Sequence, residues 1–229
     1  KEETYFKYIN EISQGVPLQH ITHLQEFMRL NFYVDENVLI PRPDTEVLVE
    51  EVIEIAKKNN YNKILDMCTG SGAIAVSLAK YLDNADITAV DISKKALKIA
   101  KKNAINNKVE NKITFVESDL FENLPEEKYD IIVSNPPYIS KEVIKNLSED
   151  VKKEPIIALD GGTDGLDFYR KIVDKAEKHL KFKGFLCFEI GYDQKYDVIE
   201  ILENNGCFQN IYGKKDLCEN DRIIVANLL

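Results

Sequence analysis

The stretch Lys63-Ile-Leu-Asp-Met-Cys-Thr-Gly-Ser-Gly72 decides the fold of this chain. Its first five residues form a short, largely apolar run that is typical of a buried strand. Two glycines follow, and residues 72–81 then show the spacing of apolar side chains that predicts a helix. Because glycine lets the backbone turn sharply, the stretch predicts a strand, a tight loop and the start of a helix.

The same strand-and-helix unit repeats along the rest of the chain. Strands are predicted at residues 63–67, 87–92, 113–117, 129–134, 185–190, 207–213 and 222–228. Helices are predicted at residues 72–81, 93–106, 140–150, 166–181 and 193–204. This alternation predicts an α/β fold, with a mostly parallel sheet of seven strands and helices on both faces. Only a loop separates the last two strands, so we expect an antiparallel hairpin at the sheet edge.

The residues before this repeat follow another pattern. Residues 1 to about 23 look helical, with an interruption at Gly15 and Pro17, and residues 26–34 predict a hairpin. Pro43 then precedes a helix that we expect to reach about residue 60, because proline is favoured in the first helical turn. Nothing in this first part resembles a compact domain of its own. The chain begins with Lys rather than Met, so we expect the full protein to extend further at its N-terminus.

Two of the predicted strands end in residues that suit a nucleoside. In open α/β sheets, ligands bind beyond the carboxyl ends of the strands. Gly70 and Gly72 let the backbone approach a ligand closely, and the helix N-terminus behind them favours a negative group such as a carboxylate. Asp91 follows Gly72 by 19 residues (91 − 72), which is close to the spacing of about 20 at which an acidic residue accepts hydrogen bonds from a ribose diol.

A third strand ends near Asp119, whose carboxylate can accept from an adenine amine while Leu120 and Phe121 flank the ring. Together these motifs indicate a ligand that contains adenosine. The glycine loop also fits the pattern of NAD enzymes, but it comes later after the strand and no residues for hydride transfer are evident. Ordinary capping is the alternative explanation for Asp66 and Asp91.

The tetrapeptide Asn135-Pro136-Pro137-Tyr138 follows the predicted strand at residues 129–134. Two consecutive prolines stop a strand and hold the residues before them extended, so the Asn135 side-chain oxygen and the Pro136 carbonyl can point outward together. Two neutral acceptors beside the Tyr138 ring suit a planar NH2 group, either a carboxamide or a nucleobase amine. The alternative is an ordinary turn, which Asn and Pro favour. We call these two acceptors, the Asn135 side-chain oxygen and the Pro136 carbonyl, the clamp. An adenosine site beside such a clamp indicates a methyl donor.

Composition and charge argue against several classes of protein. The apolar content of 44% and the charged content of 30% are those of a globular protein, and no apolar run is long enough to span a membrane. The net charge of −9 argues against a nucleic-acid partner, which usually requires a basic surface. His20 and His23 lack further ligands nearby, so we expect no metal. The cysteines form no CxxC pair and predict reduced packing residues; they are Cys68, Cys187, Cys207 and Cys218.

These motifs together resemble the release factor glutamine methyltransferases, the HemK/PrmC family of class I S-adenosylmethionine-dependent methyltransferases. The resemblance covers nearly the whole chain. Asn-Pro-Pro-Tyr is shared with adenine-N6 methyltransferases and indicates the reaction, whereas the motifs before residue 47 are narrower and favour glutamine as the substrate. The matching segments are Gly15–Gln19, Glu26–Phe27, Leu39–Glu46, Asp66–Gly72, Asp91, Asn103, Asn135–Tyr138, Glu154–Pro155, Gly161–Leu166, Glu189–Gly191 and Gln194.

The resemblance implies a Rossmann-like fold, S-adenosylmethionine as the cofactor and a cytoplasmic enzyme. Its substrate would be the side-chain amide, at N5, of the glutamine in the Gly-Gly-Gln loop of peptide chain release factors. The methyltransferase domain would occupy residues 42–229, after a remnant of a helical domain and a hairpin linker at residues 1–41. The implied cofactor residues are Asp66, Cys68, Thr69, Gly70, Ser71, Gly72, Asp91, Asp119, Leu120 and Asn135. The implied substrate residues are Asn135, Pro136, Pro137 and Tyr138, and of these Asn135, Pro136 and Tyr138 would be catalytic.

The chain departs from this family in a few places. Cys68 stands where the family usually carries glycine, and His23 and Arg29 replace glycines expected near the hairpin. From the resemblance, we expect residues 1–41 to retain only a remnant of the helical domain that precedes the family's catalytic domain. Glu189 and Gln194 can either orient other groups or only pack.

The chemistry sets a further expectation. A carboxamide nitrogen is a weak nucleophile because its lone pair is delocalised, so the protein's task is mainly to position and polarise it. We therefore expect no catalytic His, Cys or Lys. Two other function classes stay open here, an adenine-N6 methyltransferase on DNA or RNA and a binding module without catalysis.

Overall fold

The computed structural model describes residues 2–229, so Lys1, the first residue of the predicted N-terminal unit, lies outside the described residues. The described chain forms nine strands: β1 (Gln25–Phe27), β2 (Leu30–Phe32), β3 (Lys63–Met67), β4 (Asp86–Asp91), β5 (Ile113–Glu117), β6 (Tyr129–Ser134), β7 (Leu180–Glu189), β8 (Phe208–Lys215) and β9 (Asp221–Leu228). It forms eight α-helices: α1 (Glu2–Ser13), α2 (Leu18–Thr22), α3 (Glu46–Asn59), α4 (Ala73–Tyr81), α5 (Lys94–Asn106), α6 (Lys141–Ile144), α7 (Asp167–His179) and α8 (Lys195–Asn205). None of these helices is both long enough and apolar enough to cross a membrane.

Seven of the strands form one sheet in the order β5-β4-β3-β6-β7-β9-β8. The strands from β3 to β7 pair in parallel, and β9 pairs antiparallel with both β7 and β8. The predicted seven-stranded, mostly parallel sheet with a C-terminal hairpin is confirmed. Strand order reverses between β3 and β6, and a ligand cleft is expected beyond the carboxyl ends of the strands at such a point.

Both faces of the sheet are covered, because successive side chains of a strand point to opposite sides. Ile64 packs in one core cluster with Leu48 of α3 and Leu78 of α4. Its neighbour Leu65 packs in the other cluster with Ile172 of α7. Central strands that are buried on both faces have no polar face, which explains their continuous apolar sequences.

The N-terminal hairpin packs on the first of these clusters. Phe27 and Phe32 meet edge to face, with ring centroids 6.0 Å apart. Between them, Met28 and Arg29 adopt positive φ angles of 49° and 56°. Two-residue hairpin turns require this conformation, which is the reason that glycine is expected here. The hairpin nevertheless forms between β1 and β2 without a glycine in its turn.

A strap, defined as residues 34–42, connects the hairpin to the helix α3 region. Val34, Val38 and Ile40 are buried against α5. The Ile40 N–H donates to Glu154 Oε2 at 2.8 Å, and the Arg42 guanidinium forms an ion pair with the same carboxylate. The strap is therefore packed along its length and fixed by polar contacts at its C-terminal end. The division of the chain at residue 41 stays a prediction.

Two predicted elements differ from the structure. The helix predicted at residues 140–150 is a single turn, Lys141–Ile144, because none of its residues is buried and no packing extends it. The strand predicted at residues 185–190 begins earlier, at Leu180. Leu180 pairs with Tyr129, and an irregularity follows before regular pairing resumes at Phe185, which explains why the pattern of the first residues is hard to read.

Candidate active site

The loop after β3 is held from the inside by Asp66. This side chain is 0% exposed, and its Oδ2 accepts from the Thr69 hydroxyl at 2.6 Å and from the Ala75 N–H at 3.1 Å. Oδ1 has no hydrogen-bond partner among the described residues. Burial raises the pKa of Asp66 to about 7. Asp66 therefore fixes the loop from behind and does not line the cleft described below.

The outer side of this loop presents backbone. Cys68 and Gly70 have positive φ angles of 64° and 54°, and the Gly70 N–H donates to Asp91 Oδ2 at 2.8 Å. Gly72 also has positive φ, and a Cβ at this position would lie 3.0 Å from the Cβ of Ala100. The second glycine therefore lets α5 pack closely against the loop.

Asp91 ends β4 beside the loop. Its Oδ1 accepts from the Ser93 N–H at 2.8 Å, and its Oδ2 accepts from Gly70. Burial raises the pKa of Asp91, and these backbone hydrogen bonds oppose that rise. The carboxylate is thus fixed in place at the cleft, where its remaining lone pairs can accept from a pair of hydroxyl groups.

A cleft opens beyond the carboxyl ends of β3, β4 and β6. Strap residues, including Leu39, line it together with residues of the 155–158 segment. Of the residues predicted to bind the cofactor, the structure brings Cys68, Gly70, Asp91, Asp119, Leu120 and Asn135 into this lining.

Phe121 does not flank the cleft, so that expectation is wrong. Its ring stacks on His179 with centroids 4.6 Å apart, inside the second core cluster. Leu120 has a positive φ of 49°, so the chain turns sharply just before Phe121. From this segment the cleft receives Asp119 and Leu120.

A smaller depression adjoins the cleft. The two share lining residues Leu39, Cys68, Gly70 and Asn135. The smaller depression also contains Thr69 and Ser71, and two strap-side residues, Arg42 and Thr45. Asn135 therefore lies on the border between a large compartment and a small one.

The Asn135 amide is oriented by one hydrogen bond. Its Nδ2 donates to the Thr45 hydroxyl oxygen at 3.2 Å. That bond leaves Oδ1 as the end of the amide that is available to a ligand. Pro137 lines the large cleft, whereas Pro136 and Tyr138 line neither compartment.

Tyr138 is held at both its backbone and its ring. Its carbonyl accepts from Gln194 Nε2 at 2.9 Å, and its hydroxyl donates to Glu189 Oε1 at 3.3 Å. A Cβ at Gly161 would lie 2.7 Å from the Tyr138 Cα, and one at Gly165 would lie 2.4 Å from the Tyr138 carbonyl oxygen. Both glycines are thus required by the close approach of their loop to the tetrapeptide.

Sequence reasoning gave no role to Asn103 and Thr45 and left the role of Glu189 open, although all three help to build this site. Asn103 Nδ2 donates to the Ser71 carbonyl at 2.9 Å and to the Tyr33 carbonyl at 3.0 Å, so it joins the glycine loop to the strap region. Thr45 and Glu189 stand behind Asn135 and Tyr138. The available signal was the presence of polar residues within buried, apolar surroundings, but their partners lie far away along the chain.

Comparison with known proteins identifies the family. Residues 43–162 match the family model described as methyltransferase small domain. A release factor glutamine methyltransferase of Clostridium acetobutylicum is 48% identical over 97% of this chain and 79% of its own length. The protein of the same name from Clostridium botulinum is 43% identical over 99% of this chain and 81% of its own length.

Solved structures support the fold. A methyltransferase from Pyrococcus furiosus superposes with a TM-score of 0.61 at 17% identity, over 86% of this chain and 88% of that one. A 16S rRNA methyltransferase of T. thermophilus, solved with AdoMet and guanosine, gives a TM-score of 0.64 at 19% identity, over 90% of this chain and 50% of that one. The fold is that of the Rossmann-like methyltransferases, and the chain belongs to the release factor glutamine methyltransferase family.

Proposed function

We propose that this protein transfers a methyl group from S-adenosylmethionine to the side-chain amide nitrogen of a glutamine in a peptide chain release factor. Its membership of the family supports the reaction and the substrate class. The finer proposal is that the target is the glutamine of the Gly-Gly-Gln loop, modified at N5, and that the protein acts in the cytoplasm.

The cleft fits the proposed cofactor. Asp91 offers a fixed carboxylate for a ribose diol, and Asp119 offers a second acceptor for an adenine amine. Leu120 and Ile92 give this end of the cleft an apolar lining for the base. The backbone of Cys68 to Gly70 faces the region where a methionine portion would lie. When bound, S-adenosylmethionine supplies a methyl group that is already activated by its sulfonium sulfur.

The observation that carries the proposal is the position and orientation of Asn135. This residue borders both compartments, and Thr45 occupies its Nδ2. Its Oδ1 can therefore accept an N–H from a substrate amide that enters the smaller compartment. The Pro136 carbonyl is the second acceptor that the sequence predicts, although Pro136 lines neither compartment in this structure. The two acceptors fix the substrate nitrogen and stabilise the positive charge that develops on it during transfer.

The residues around Asn135 favour this orienting role over acid-base catalysis. Among the described residues that line the two compartments there is no His or Lys. Burial raises the pKa of the Cys68 thiol, so this side chain stays neutral and poorly nucleophilic. An N-methylated amide cation is acidic enough to lose its proton to water, so the transfer requires no strong base.

The proposal is tested by locating the transferred methyl group. The protein is incubated with S-adenosylmethionine and, separately, with a purified release factor and with duplex DNA that contains adenine. Mass spectrometry is expected to find one added methyl group on the glutamine of the Gly-Gly-Gln loop. A release factor with that glutamine replaced by asparagine is the control. Methylation of adenine, or of another release-factor residue, would contradict the proposal.

A further inference from the structure

Two segments from distant parts of the chain form neighbouring walls of the large cleft. The strap contributes Val38 and Leu39 to the lining, and the 155–158 segment contributes Ile157. Glu154 directly precedes the second segment and contacts the strap, and its side chain is 1% exposed. A buried carboxylate therefore lies where these two walls meet.

The Glu154 carboxylate contacts the strap with both of its oxygens. Oε2 accepts from the Ile40 N–H at 2.8 Å, and Oε1 accepts from the Arg42 guanidinium, with which it forms an ion pair. Burial of a carboxylate is unfavourable unless its oxygens are paired and hydrogen-bonded, and here donors of the strap satisfy both oxygens. Hydrogen bonds to charged groups are also stronger than those between neutral groups. The contact therefore fixes the strap against residue 154.

The 155–158 segment has a different attachment at each end. Beyond its C-terminal end, the Leu159 carbonyl accepts from the Ile139 N–H at 3.0 Å, and the Gly161 N–H donates to the Ile139 carbonyl at 2.9 Å. These bonds fix that end beside the tetrapeptide. On the N-terminal side, Glu154 is the only buried residue among residues 141–158. Loss of its contact with the strap would leave this end without a buried anchor.

The side chains of the segment itself contribute little to fixing it. Ile156 and Ile157 are 57% and 50% exposed, although both are large and apolar. Apolar side chains hold a segment in place by the surface that they bury, and these two leave much of theirs exposed. The position of the segment at this end therefore depends mainly on the polar contacts of Glu154.

We propose that Glu154 is a positioning residue that joins the strap to the 155–158 segment and so holds two walls of the cleft in the geometry that binds S-adenosylmethionine. Walls that are already ordered lose little conformational freedom when a ligand enters, so the affinity is higher. The inference rests on the proposed function, because S-adenosylmethionine is the ligand proposed for this cleft. It assigns a part in cofactor binding to a side chain that lines neither compartment.

The first test measures cofactor binding in Glu154→Gln. The new amide has nearly the same shape, but it cannot accept from Arg42 with its NH2 end while its oxygen accepts from Ile40. The dissociation constant of S-adenosylmethionine, measured by calorimetry, should rise about tenfold, the size expected when a hydrogen bond to a charged group is lost. Its KM should rise by a similar factor. At saturating cofactor kcat should fall less than about threefold, because Asn135 and its partner Thr45 are unchanged.

Asp130→Asn is a matched control, because Asp130 is also a buried carboxylate that joins two segments. It is 6% exposed, its Oδ2 accepts from the Lys63 N–H at 2.9 Å, and its Oδ1 lies 2.8 Å from Lys181 Nζ. It lies near the start of β6, at the opposite end of that strand from Asn135, and lines neither compartment. Urea unfolding should show a loss of stability in both variants, but only Glu154→Gln should bind S-adenosylmethionine more weakly.

The second test follows the two walls in the protein without cofactor. Hydrogen–deuterium exchange in peptides that cover residues 34–42 and 154–158 should be about tenfold faster in Glu154→Gln, because these segments open more often once their contact is weakened. Asp130→Asn should leave the exchange of these peptides unchanged. This measurement reports on the contact itself and requires neither cofactor nor substrate.

The outcomes are distinct. An unchanged dissociation constant in Glu154→Gln, an equal weakening in Asp130→Asn, or unchanged exchange of the two walls would each overturn the inference. If Glu154→Gln fails to fold, Arg42→Met decides. It removes only the ion pair, so faster exchange of the strap would support the inference and unchanged exchange would overturn it. If the unmodified protein binds S-adenosylmethionine but methylates no release factor, the proposed function fails, and the binding and exchange results still decide the inference.

Discussion

The two compartments of the candidate active site are built in different ways. The cofactor side is a local structure, in which a short loop is fixed by Asp66 from behind and by Asp91 from the neighbouring strand. The clamp side depends on Thr45 and on Glu189 and Gln194, which come from two distant parts of the chain. The cofactor side presents mainly backbone, and the clamp side orients one amide and one phenol with side chains. Damage to the first should therefore weaken binding and stability, whereas damage to the second should slow transfer.

The largest expected effect breaks the clamp itself. Asn135→Ala removes the acceptor that faces the substrate, so kcat should fall by about 10²–10³, the cost of losing one preorganised hydrogen bond to the reacting group. Asn135 also lines the cofactor cleft, but the glycine loop and Asp91 stay in place, so binding of S-adenosylmethionine should stay within a few-fold of normal. Parallel cofactor titration and turnover assays measure both quantities. Unchanged turnover would show that methyl transfer does not depend on the Asn135 acceptor.

The next effect concerns the loop behind the tetrapeptide. Gly165 has a φ of +81°, and an added Cβ would lie 2.4 Å from the Tyr138 carbonyl oxygen. Gly165→Ala should lower the free energy of unfolding by about 2–3 kcal/mol, from left-handed strain plus a steric clash. Gly206 is the matched control, since its φ is +77° and nothing lies within 4 Å of its added Cβ.

Urea unfolding measures both variants. Gly206→Ala should lose only the strain contribution, about 1 kcal/mol. Equal losses in the two variants would mean that the approach of residue 165 to the tetrapeptide does not matter for stability.

A pH titration of stability sharpens the comparison on the cofactor side. Burial raises the pKa of Asp66 from 3.8 to about 7, so the folded state binds a proton that the unfolded state releases. Stability should therefore fall as the pH rises from about 4 to about 7, by about 1.4 kcal/mol for each unit by which the two pKa values differ. Asp66→Asn cannot titrate and should show a shallower fall between about pH 4 and about pH 7 in urea unfolding. If the free energy of unfolding depended on pH in the same way in the two proteins, Asp66 would not be the group responsible for the fall.

The smallest effect is expected at Cys68. Its φ of 64° is a conformation that glycine adopts without strain. Cys68→Gly should therefore stabilise the folded state by about 1 kcal/mol through relief of backbone strain, and destabilise it by a similar amount through loss of the buried side chain. The dissociation constant of S-adenosylmethionine should change by less than about threefold, because the loop presents backbone at this point. A tenfold weakening would show that the Cys68 side chain, and not the backbone, contacts the cofactor.

Most of the fold was predictable because its signals are local. The strand before the glycine loop, the helix that follows it and the later repeats each carry their own apolar pattern, and the structure confirms them. The predictions that were wrong also have physical causes. Residues 145–150 have a helical pattern but no core to pack against, and Phe121 turns inward because Leu120 adopts positive φ.

By itself, the sequence determined the sheet, the glycine loop, the acidic strand ends and the Asn-Pro-Pro-Tyr tetrapeptide, since each is specified within a few consecutive residues. The tertiary structure decided which way Asn135 faces, because that orientation depends on Thr45, which lies 90 positions away along the chain. It also decided that Asp66 is a support and that Glu189 reaches the tetrapeptide. Hydrogen bonds between distant segments leave no periodic pattern in a sequence, so the folded chain is needed to find them.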